Sequence, residues 1–401
     1  MASMKTSDMS ADQSCPNCGS KGMRVFDEVK SVPVNSCLLL KDPKEALEYP
    51  RGEIALGFCP SCGFVSNISF EPQRLRYSTA YEDQQSYSAC FRAFQHELAI
   101  DLIKRYDLHG KTVIEIGCGK GDFLVEVCEL GNNRGVGIDP AHIPNRLESP
   151  ALDRISFIQD FYSEKYAHLT GDLVCCRHTL EHIPRTYDFL RTVQRTVEGK
   201  PDTVVFFEVP DVERVLVEIA FWDIYYEHCS YFSLGSLARL FRSCGFDILD
   251  LRKDFDDQYL LIEARPTNGT TPPRLPQEDD LARMTEQVDH FATQYKRKLQ
   301  QWKKELQRIK EQRLRAAIWG SGSKCVAFLS VLEVRDEIDV IVDINPHRHG
   351  KYLAGSGKQI KSPEYLRQFK PEFVIVMNPI YREEIKRDLE GMGLKPEIVA
   401  V

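Results

Sequence analysis

The chain predicts a doubly wound α/β fold, with a metal-stapled module before it and a second, smaller Rossmann-like unit after it. Three observations carry that prediction. Short apolar runs alternate with helical patterns through the middle of the chain, the pattern of a parallel sheet covered by helices on both faces. Two C-x-x-C knuckles, Cys15-Pro16-Asn17-Cys18 and Cys59-Pro60-Ser61-Cys62, precede that region. A glycine loop, Glu115-Ile116-Gly117-Cys118-Gly119-Lys120-Gly121, stands where the first strand of the alternation gives way to a helix.

The elements follow in order. Residues 1–13 are polar and predict a disordered tail. Residues 14–75 form a zinc-binding module of the ribbon type, with short strands that include Ile54 to Phe58. Cys15, Cys18, Cys59 and Cys62 can supply four thiolates to one tetrahedral Zn²⁺, and closed four-cysteine sites are structural. Gly19 and Gly63 permit the turn behind each second cysteine. Residues 76–110 place Phe91, Phe94, Leu98, Leu102 and Ile103 at helical spacing.

The central domain runs over residues 76–266. Its expected strands are Thr112 to Ile116, Gly135 to Ile138, Ile155 to Gln159, Asp172 to Cys176, Thr203 to Val209 and a closing Phe255 to Glu263, with a helix from Gly121 to Leu130. Thr267 to Pro276 is rich in Pro and Thr and reads as a linker. One long amphipathic helix follows within residues 267–314, its stripe running from Leu281 through Val288, Tyr295 and Trp302 to Ile309. That stripe predicts core or interdomain packing, and the basic face opposite it predicts a solvated surface. Residues 315–401 restart the α/β pattern with strands at Arg315 to Trp319, Ile338 to Val342 and Phe373 to Met377, and a Gly320-Ser321-Gly322-Ser323-Lys324 turn into a helix.

Composition excludes several classes. Net charge is −7 over 401 residues, so no broad basic surface advertises nucleic acid. Thirteen cysteines are scattered, several inside apolar runs, which fits a reducing cytoplasm rather than a disulfide framework. No apolar run approaches a membrane span, and no signal peptide is apparent. The expected partner is a small molecule, and the expected state a monomer or homodimer.

The glycine loop points to a particular cofactor. A G-x-G turn by itself suits a dinucleotide. Glu115, however, would repel a pyrophosphate and attract the ammonium and sulfonium charges of S-adenosylmethionine. Gly117, Gly119 and Gly121 let the backbone approach that cofactor. Asp139 ends the next strand, where an acid meets ribose hydroxyls. Asp160 and Phe161 follow the third strand, where adenine would lie. Together these define a class I S-adenosylmethionine-dependent methyltransferase core.

Two clusters fall at strand ends that open on the same crevice: Arg177-His178-Thr179-Leu180-Glu181-His182 and Tyr225-Tyr226-Glu227-His228. Histidine takes protons near neutrality, and tyrosine can donate to a developing oxyanion. His228, Glu227, Tyr225 and His182 are the catalytic candidates, and His178 a cofactor-side candidate.

The order of these motifs, with L-E-H-I-P, Y-E-H-x-S-Y-F-S and a C-terminal V-D-x-N-P-x-x-x-G-K-Y, resembles the nucleotide-sugar C-methyltransferases. The resemblance covers nearly the whole chain. It implies methylation at C-3 of a nucleotide-linked 4-keto-deoxysugar through an enolate, with the substrate between the central and C-terminal domains. It implies His228 or Glu227 as the base, Tyr225 near the enolate oxygen and His182 supporting the sugar. Tyr77 and Tyr81 match a sugar-contacting stretch more loosely. Lys324 and Asp343 are substrate-side candidates, for phosphate and ribose. Two stretches depart from the family, Val34 to Leu39 and Glu82 to Ser88. The competing readings are an O- or N-methyltransferase of small molecules, an RNA methyltransferase using its zinc ribbon, and a non-catalytic cofactor-binding protein.

Overall fold

The computed structural model describes residues 13–269 and 272–401; the expected N-terminal tail lies outside them except for Gln13. Three sheets organise the described residues. The central sheet has seven strands in the order Phe246–Asp254, Tyr259–Pro266, Val204–Pro210, Leu173–Arg177, Thr112–Ile116, Arg134–Ile138, Ile155–Ile158. The five strands from Ile155–Ile158 to Val204–Pro210 pair in parallel, and Tyr259–Pro266 runs antiparallel to both of its neighbours. Strand order reverses beside Thr112–Ile116, which makes its carboxyl end the switch-point crevice where ligands bind.

The parallel strands lie where their apolar runs put them, within a residue or so of the expected bounds. The closing strand differs. Phe255, Asp256 and Asp257 all have positive φ and form the turn of a hairpin, with one strand on each side of it. Two adjacent aspartates tolerate that left-handed turn better than a strand interior.

The N-terminal sheet joins Arg24–Pro33, Arg51–Phe58 and Val65–Asn67 to Ser230–Tyr231, a strand contributed by the central domain. The expected boundary at residue 75 is therefore crossed by a sheet. The knuckles also dock on central helices: Asn17 Nδ2 donates to the Ser236 carbonyl at 3.2 Å, and Arg239 Nε to the Cys62 carbonyl at 3.0 Å.

The C-terminal sheet is parallel throughout, in the order Ile360–Lys361, Val340–Val342, Ala316–Trp319, Phe373–Val376, Glu397–Ala400. Its two edge strands were not foreseen: Ile360–Lys361 has only two residues, and Glu397–Ala400 is only partly buried. The long helix Leu281–Glu311 buries Met284, Val288, Phe291, Tyr295, Trp302, Leu306 and Ile309. Phe291 meets Phe26 edge-on at 5.9 Å, Tyr295 meets Phe221 at 6.5 Å and Trp302 meets Phe328 at 5.0 Å. One apolar stripe thus binds the N-terminal sheet, the central domain and the C-terminal unit into a continuous core. Among the described residues no helix is long and apolar enough to cross a membrane.

Candidate active site

The four knuckle thiols converge. Their Sγ atoms lie within 4.8 Å of one another, with Cys15 and Cys62 3.7 Å apart and Cys18 and Cys59 3.6 Å apart. Gly19 and Gly63 take φ of +77° and +74°, and each amide donates at 2.8 Å to the carbonyl of the first cysteine of its knuckle. That turn aims both thiols of a knuckle inward. All thirteen cysteines are free, and a closed set of four thiols matches a structural metal centre.

A cavity of about 1020 Å³ opens at the carboxyl ends of the central strands and reaches the C-terminal unit. The glycine loop forms its floor. Gly117 and Gly121 have φ of +71° and +99°, and a methyl group at Gly117 would come within 1.9 Å of Thr179 Oγ1. Gly119 faces open space. Glu115 is buried, and its Oε2 has no hydrogen-bond partner. Burial pushes its carboxyl up to about 8, against the pull of Arg177. A buried carboxyl with one oxygen unpartnered, beside an open glycine, is what a cationic cofactor would satisfy.

Asp139 lines the same cavity and ties down the loop. Its Oδ2 accepts from the Gly119 amide at 2.9 Å and its Oδ1 from Ala141 at 2.6 Å. Phe161 is exposed on the cavity wall. Asp160 is not on that wall. Its carboxylate accepts from Tyr166 Oη at 2.6 Å, Lys165 at 3.0 Å and the Phe161 amide at 2.8 Å. Short local partners have captured it, and it orders the turn that presents Phe161.

The two polar clusters meet across the cavity. Tyr77 Oη lies 2.9 Å from His182 Nδ1, and Tyr225 Oη lies 3.1 Å from His228 Nε2. The His182 and His228 rings stand perpendicular with centroids 4.8 Å apart. Burial, and then the neighbouring His182 and His178, hold the His228 imidazole well below its ordinary range, so it is neutral and able to accept a proton. Tyr77 packs on Tyr81 at 5.2 Å, and both line the cavity.

Glu227 does not reach the cavity. Asn35 Nδ2 donates to its Oε1 at 2.9 Å, and Ser36 Oγ donates to its other oxygen. The Tyr-Tyr-Glu-His segment is a turn: its ends, Tyr225 and His228, face the cavity, while its middle residues, Tyr226 and Glu227, face the N-terminal module. Tyr226 closes on Gly52, where a methyl group would come within 2.3 Å of its ring, and its hydroxyl accepts from the Glu71 amide at 2.9 Å. The next strand, Ser230–Tyr231, continues this grip by pairing with Val65–Asn67. Hence the N-terminal module positions His228. Within Val34 to Leu39, Asn35 and Ser36 are the clamp on Glu227.

His178 has φ of +47° and lies 2.7 Å from Glu208. Burial alone would lower its imidazole, but Glu208 and Glu181 outweigh burial and raise it to about 9. Glu208 in turn pairs with Arg177 at 2.7 Å. Burial opposes its ionisation, yet Arg177 and His178 bring it down to about 2. Sequence reading placed Arg177 and Glu181 in the crevice cluster without giving either a role, and passed over Glu208. The available signal was charge at the ends of otherwise apolar strands, which is tolerated only when paired.

On the opposite wall stand Gly320, Gly322, Ser323, Lys324 and Asp343. Lys324 is in contact with Asp223, and burial lowers its ammonium. Asp343 accepts from Ser321 N at 2.8 Å, Ser321 Oγ at 2.6 Å and Asn345 N at 2.9 Å. Asp83, Gln84, Gln85 and Tyr87, from the second departing stretch, also line the cavity.

Comparison with known proteins agrees with this geometry. Residues 91–251 match the family description "Methyltransferase domain", and residues 273–395 match "C-methyltransferase C-terminal domain". C-methyltransferase NovU of Streptomyces niveus is 29% identical over 304 residues, 71% of each chain. Ubiquinone biosynthesis O-methyltransferase of Neisseria meningitidis serogroup C is 27% identical over 176 residues, covering 39% of this chain and 72% of the other. Among solved structures, the PH0226 protein of Pyrococcus horikoshii OT3 aligns at 16% identity and a TM-score of 0.36, over 48% of this chain and 100% of that one.

The protein is an S-adenosylmethionine-dependent methyltransferase. Its two matched domains, in this order, place it in a C-methyltransferase family.

Proposed function

We propose that the protein methylates C-3 of a nucleotide-linked 4-keto-deoxysugar, with Zn²⁺ held by Cys15, Cys18, Cys59 and Cys62 as a structural ion. The observation that carries this reading is the Tyr225–His228 pair at 3.1 Å, with a neutral imidazole, in the cavity that also contains the Glu115 loop. When bound, S-adenosylmethionine supplies an electrophilic methyl group. Glu115 and Asp139 hold its charged and ribose ends, and Phe161 offers a face to its base.

The remaining chemistry belongs to the side chains. A carbon beside a ketone is a weak acid until its enolate is stabilised. His228 takes the C-3 proton, and Tyr225 donates to the oxygen as it becomes negative. Tyr77 orients His182 against the sugar. Water exclusion comes from the apolar lining and from the C-terminal unit, whose Gly322 and Ser323 face the nucleotide side. The Lys324–Asp223 contact leaves backbone amides, rather than the ammonium alone, to meet phosphate oxygens. The free cysteines support a cytoplasmic location.

The test is incubation with S-adenosylmethionine and a panel of nucleotide-linked 4-keto-6-deoxysugars, read by mass spectrometry. One added methyl group, assigned to carbon by NMR, supports the reading. No methylation with cofactor binding intact overturns it in favour of O- or N-methylation of another small molecule, a reading supported by the similarity to ubiquinone O-methyltransferases. His228→Asn should retain cofactor affinity and lose about 10²–10⁴-fold in turnover; loss of cofactor affinity would instead make His228 structural.

A further inference from the structure

Glu181 has no task in the proposed reaction, and unlike Arg177, His178 and Glu208 its carboxylate is not held in a close ion pair. It is 2% exposed, and neither carboxylate oxygen has a hydrogen-bond partner. The nearest base, His178 Nδ1, stands 3.6 Å from Oε1. A buried carboxylate left without donors is costly unless something else satisfies it.

Two histidines stand beside it. One ligand atom each from Glu181, His182 and His228 lies within 4.8 Å of the others. Each imidazole is already oriented through one nitrogen, His182 by Tyr77 at 2.9 Å and His228 by Tyr225 at 3.1 Å. Outer-shell hydrogen bonds of that kind fix the ring of a metal-ligating histidine. The backbone holds the two segments in register, since Cys229 N donates to the Glu181 carbonyl at 2.9 Å. All three side chains border the open cavity, which leaves coordination positions for water.

We infer that Glu181, His182 and His228 form a second metal site, which takes a borderline divalent cation and thereby arrests methyl transfer. Two imidazoles and one carboxylate suit Zn²⁺, Co²⁺ or Ni²⁺, whereas Mg²⁺ and Ca²⁺ prefer all-oxygen shells. The site differs in kind from the four-thiol centre. Its inhibitory effect rests on the proposed role of His228: an imidazole held by a cation and a tyrosine has no lone pair left for a proton from carbon.

The test uses the full-length protein with its four-cysteine site loaded with one equivalent of zinc. Co²⁺ is titrated and followed by its visible d–d bands, which for nitrogen and oxygen ligands come without the intense thiolate charge-transfer band. The wild type should take up one further equivalent. Glu181→Gln and His182→Asn should each weaken that uptake at least tenfold, with zinc content and thermal midpoint unchanged. No second equivalent, or equal uptake by both variants, would overturn the site. With a methylation substrate in hand, turnover should fall in proportion to cobalt occupancy and return on chelation. Full turnover at full occupancy would overturn the inhibitory role. Cobalt stoichiometry is read without any substrate, so failure of the sugar assignment and failure of the metal site remain separate results.

Discussion

The two Rossmann-like units carry the same turn and use it differently. In each, a glycine amide after the first strand donates to the end of the next strand: Gly117 to Ile138 at 2.8 Å and Gly320 to Val342 at 2.9 Å. In each, an aspartate ending that next strand accepts from a loop amide: Asp139 from Gly119 at 2.9 Å and Asp343 from Ser321 at 2.8 Å. The central loop is then left unfilled, with one Glu115 oxygen unpartnered and Gly119 facing space. The C-terminal loop is largely filled by protein. Arg348 donates to the Ser321 carbonyl at 2.9 Å, Ser36 Oγ lies 2.7 Å from Ser323 Oγ, and Lys324 contacts Asp223. Arg348 also reaches the Glu82 carbonyl, and Asn345 Nδ2 reaches Glu82 Oε1 at 2.9 Å. Much of this loop serves as a joint between domains, and only the stretch at Gly322 stays open to the cavity. The lesson is that a loop's backbone plan does not assign its function; unsatisfied polar groups do.

That contrast can be broken most forcefully at the glycines. Gly117→Ala forces a methyl group to 1.9 Å from Thr179 Oγ1 at a left-handed φ, and should cost about 3 kcal/mol or more together with cofactor binding. Gly320→Ala meets Met377 only at 3.5 Å, so it should cost about 1–2 kcal/mol, the left-handed backbone alone. Thermal melts with and without cofactor measure both; equal losses would erase the distinction between the loops.

Next in size is the carboxylate pair. Glu115→Gln should weaken S-adenosylmethionine by about 10–100-fold, the loss of a charge-assisted contact. Asp343→Asn should leave that affinity unchanged and lower stability by about 1 kcal/mol. Calorimetric titration reads the first and denaturant melts the second.

A subtler effect concerns protons. Glu115 has its carboxyl raised to about 8 by burial, so the free folded protein holds a proton there from the ordinary carboxylate range up to that value. The unfolded chain does not hold it, so this group's contribution to stability falls as pH rises through that window. A cationic cofactor favours the carboxylate, so binding at pH 7 should release up to one proton, and affinity should rise toward pH 8 and then level off. Titration calorimetry in two buffers of different ionisation enthalpy measures the release; none in wild type would mean that Glu115 is already ionised. The smallest effect is expected for Lys324→Met, which should not change cofactor affinity, because its ammonium serves Asp223 on the far wall.

Much of the architecture was legible in the chain. The strands Leu173–Arg177 and Val204–Pro210 open on unbroken apolar runs, Leu173 to Cys176 and Val204 to Phe207, so composition marks them. The Gly117, Gly119 and Gly121 turn and the four-cysteine cluster are legible for a different reason: their chemistry is local, set by spacing within a few residues. The hairpin at Phe246–Asp254 was hidden because its strand carries Asp247, Asp250 and Arg252, which break the apolar pattern. Asp250 and Arg252 pair with each other and with partners outside the strand, Arg105 for Asp250 at 2.8 Å and Glu263 for Arg252 at 2.5 Å.

The site divides along the same line. From sequence alone came the cofactor loop, the thiol set and the residue types of a proton-transfer cluster. Only tertiary structure separated His228 from its neighbour Glu227. Both are polar, adjacent and buried, but the tight turn at Tyr226 and Glu227, closed by the His228 amide donating to the Tyr225 carbonyl at 3.2 Å, sends their side chains to different sides. Which side meets the cavity was decided by Asn35, Ser36 and Val65–Asn67, distant in sequence and brought close by the N-terminal module. Asp160 was decided likewise, by Tyr166 and Lys165 closing on it. Local spacing determines which groups a segment can offer. Long-range packing determines which of them are left without a partner, and a polar group without a partner is the one free to bind or react.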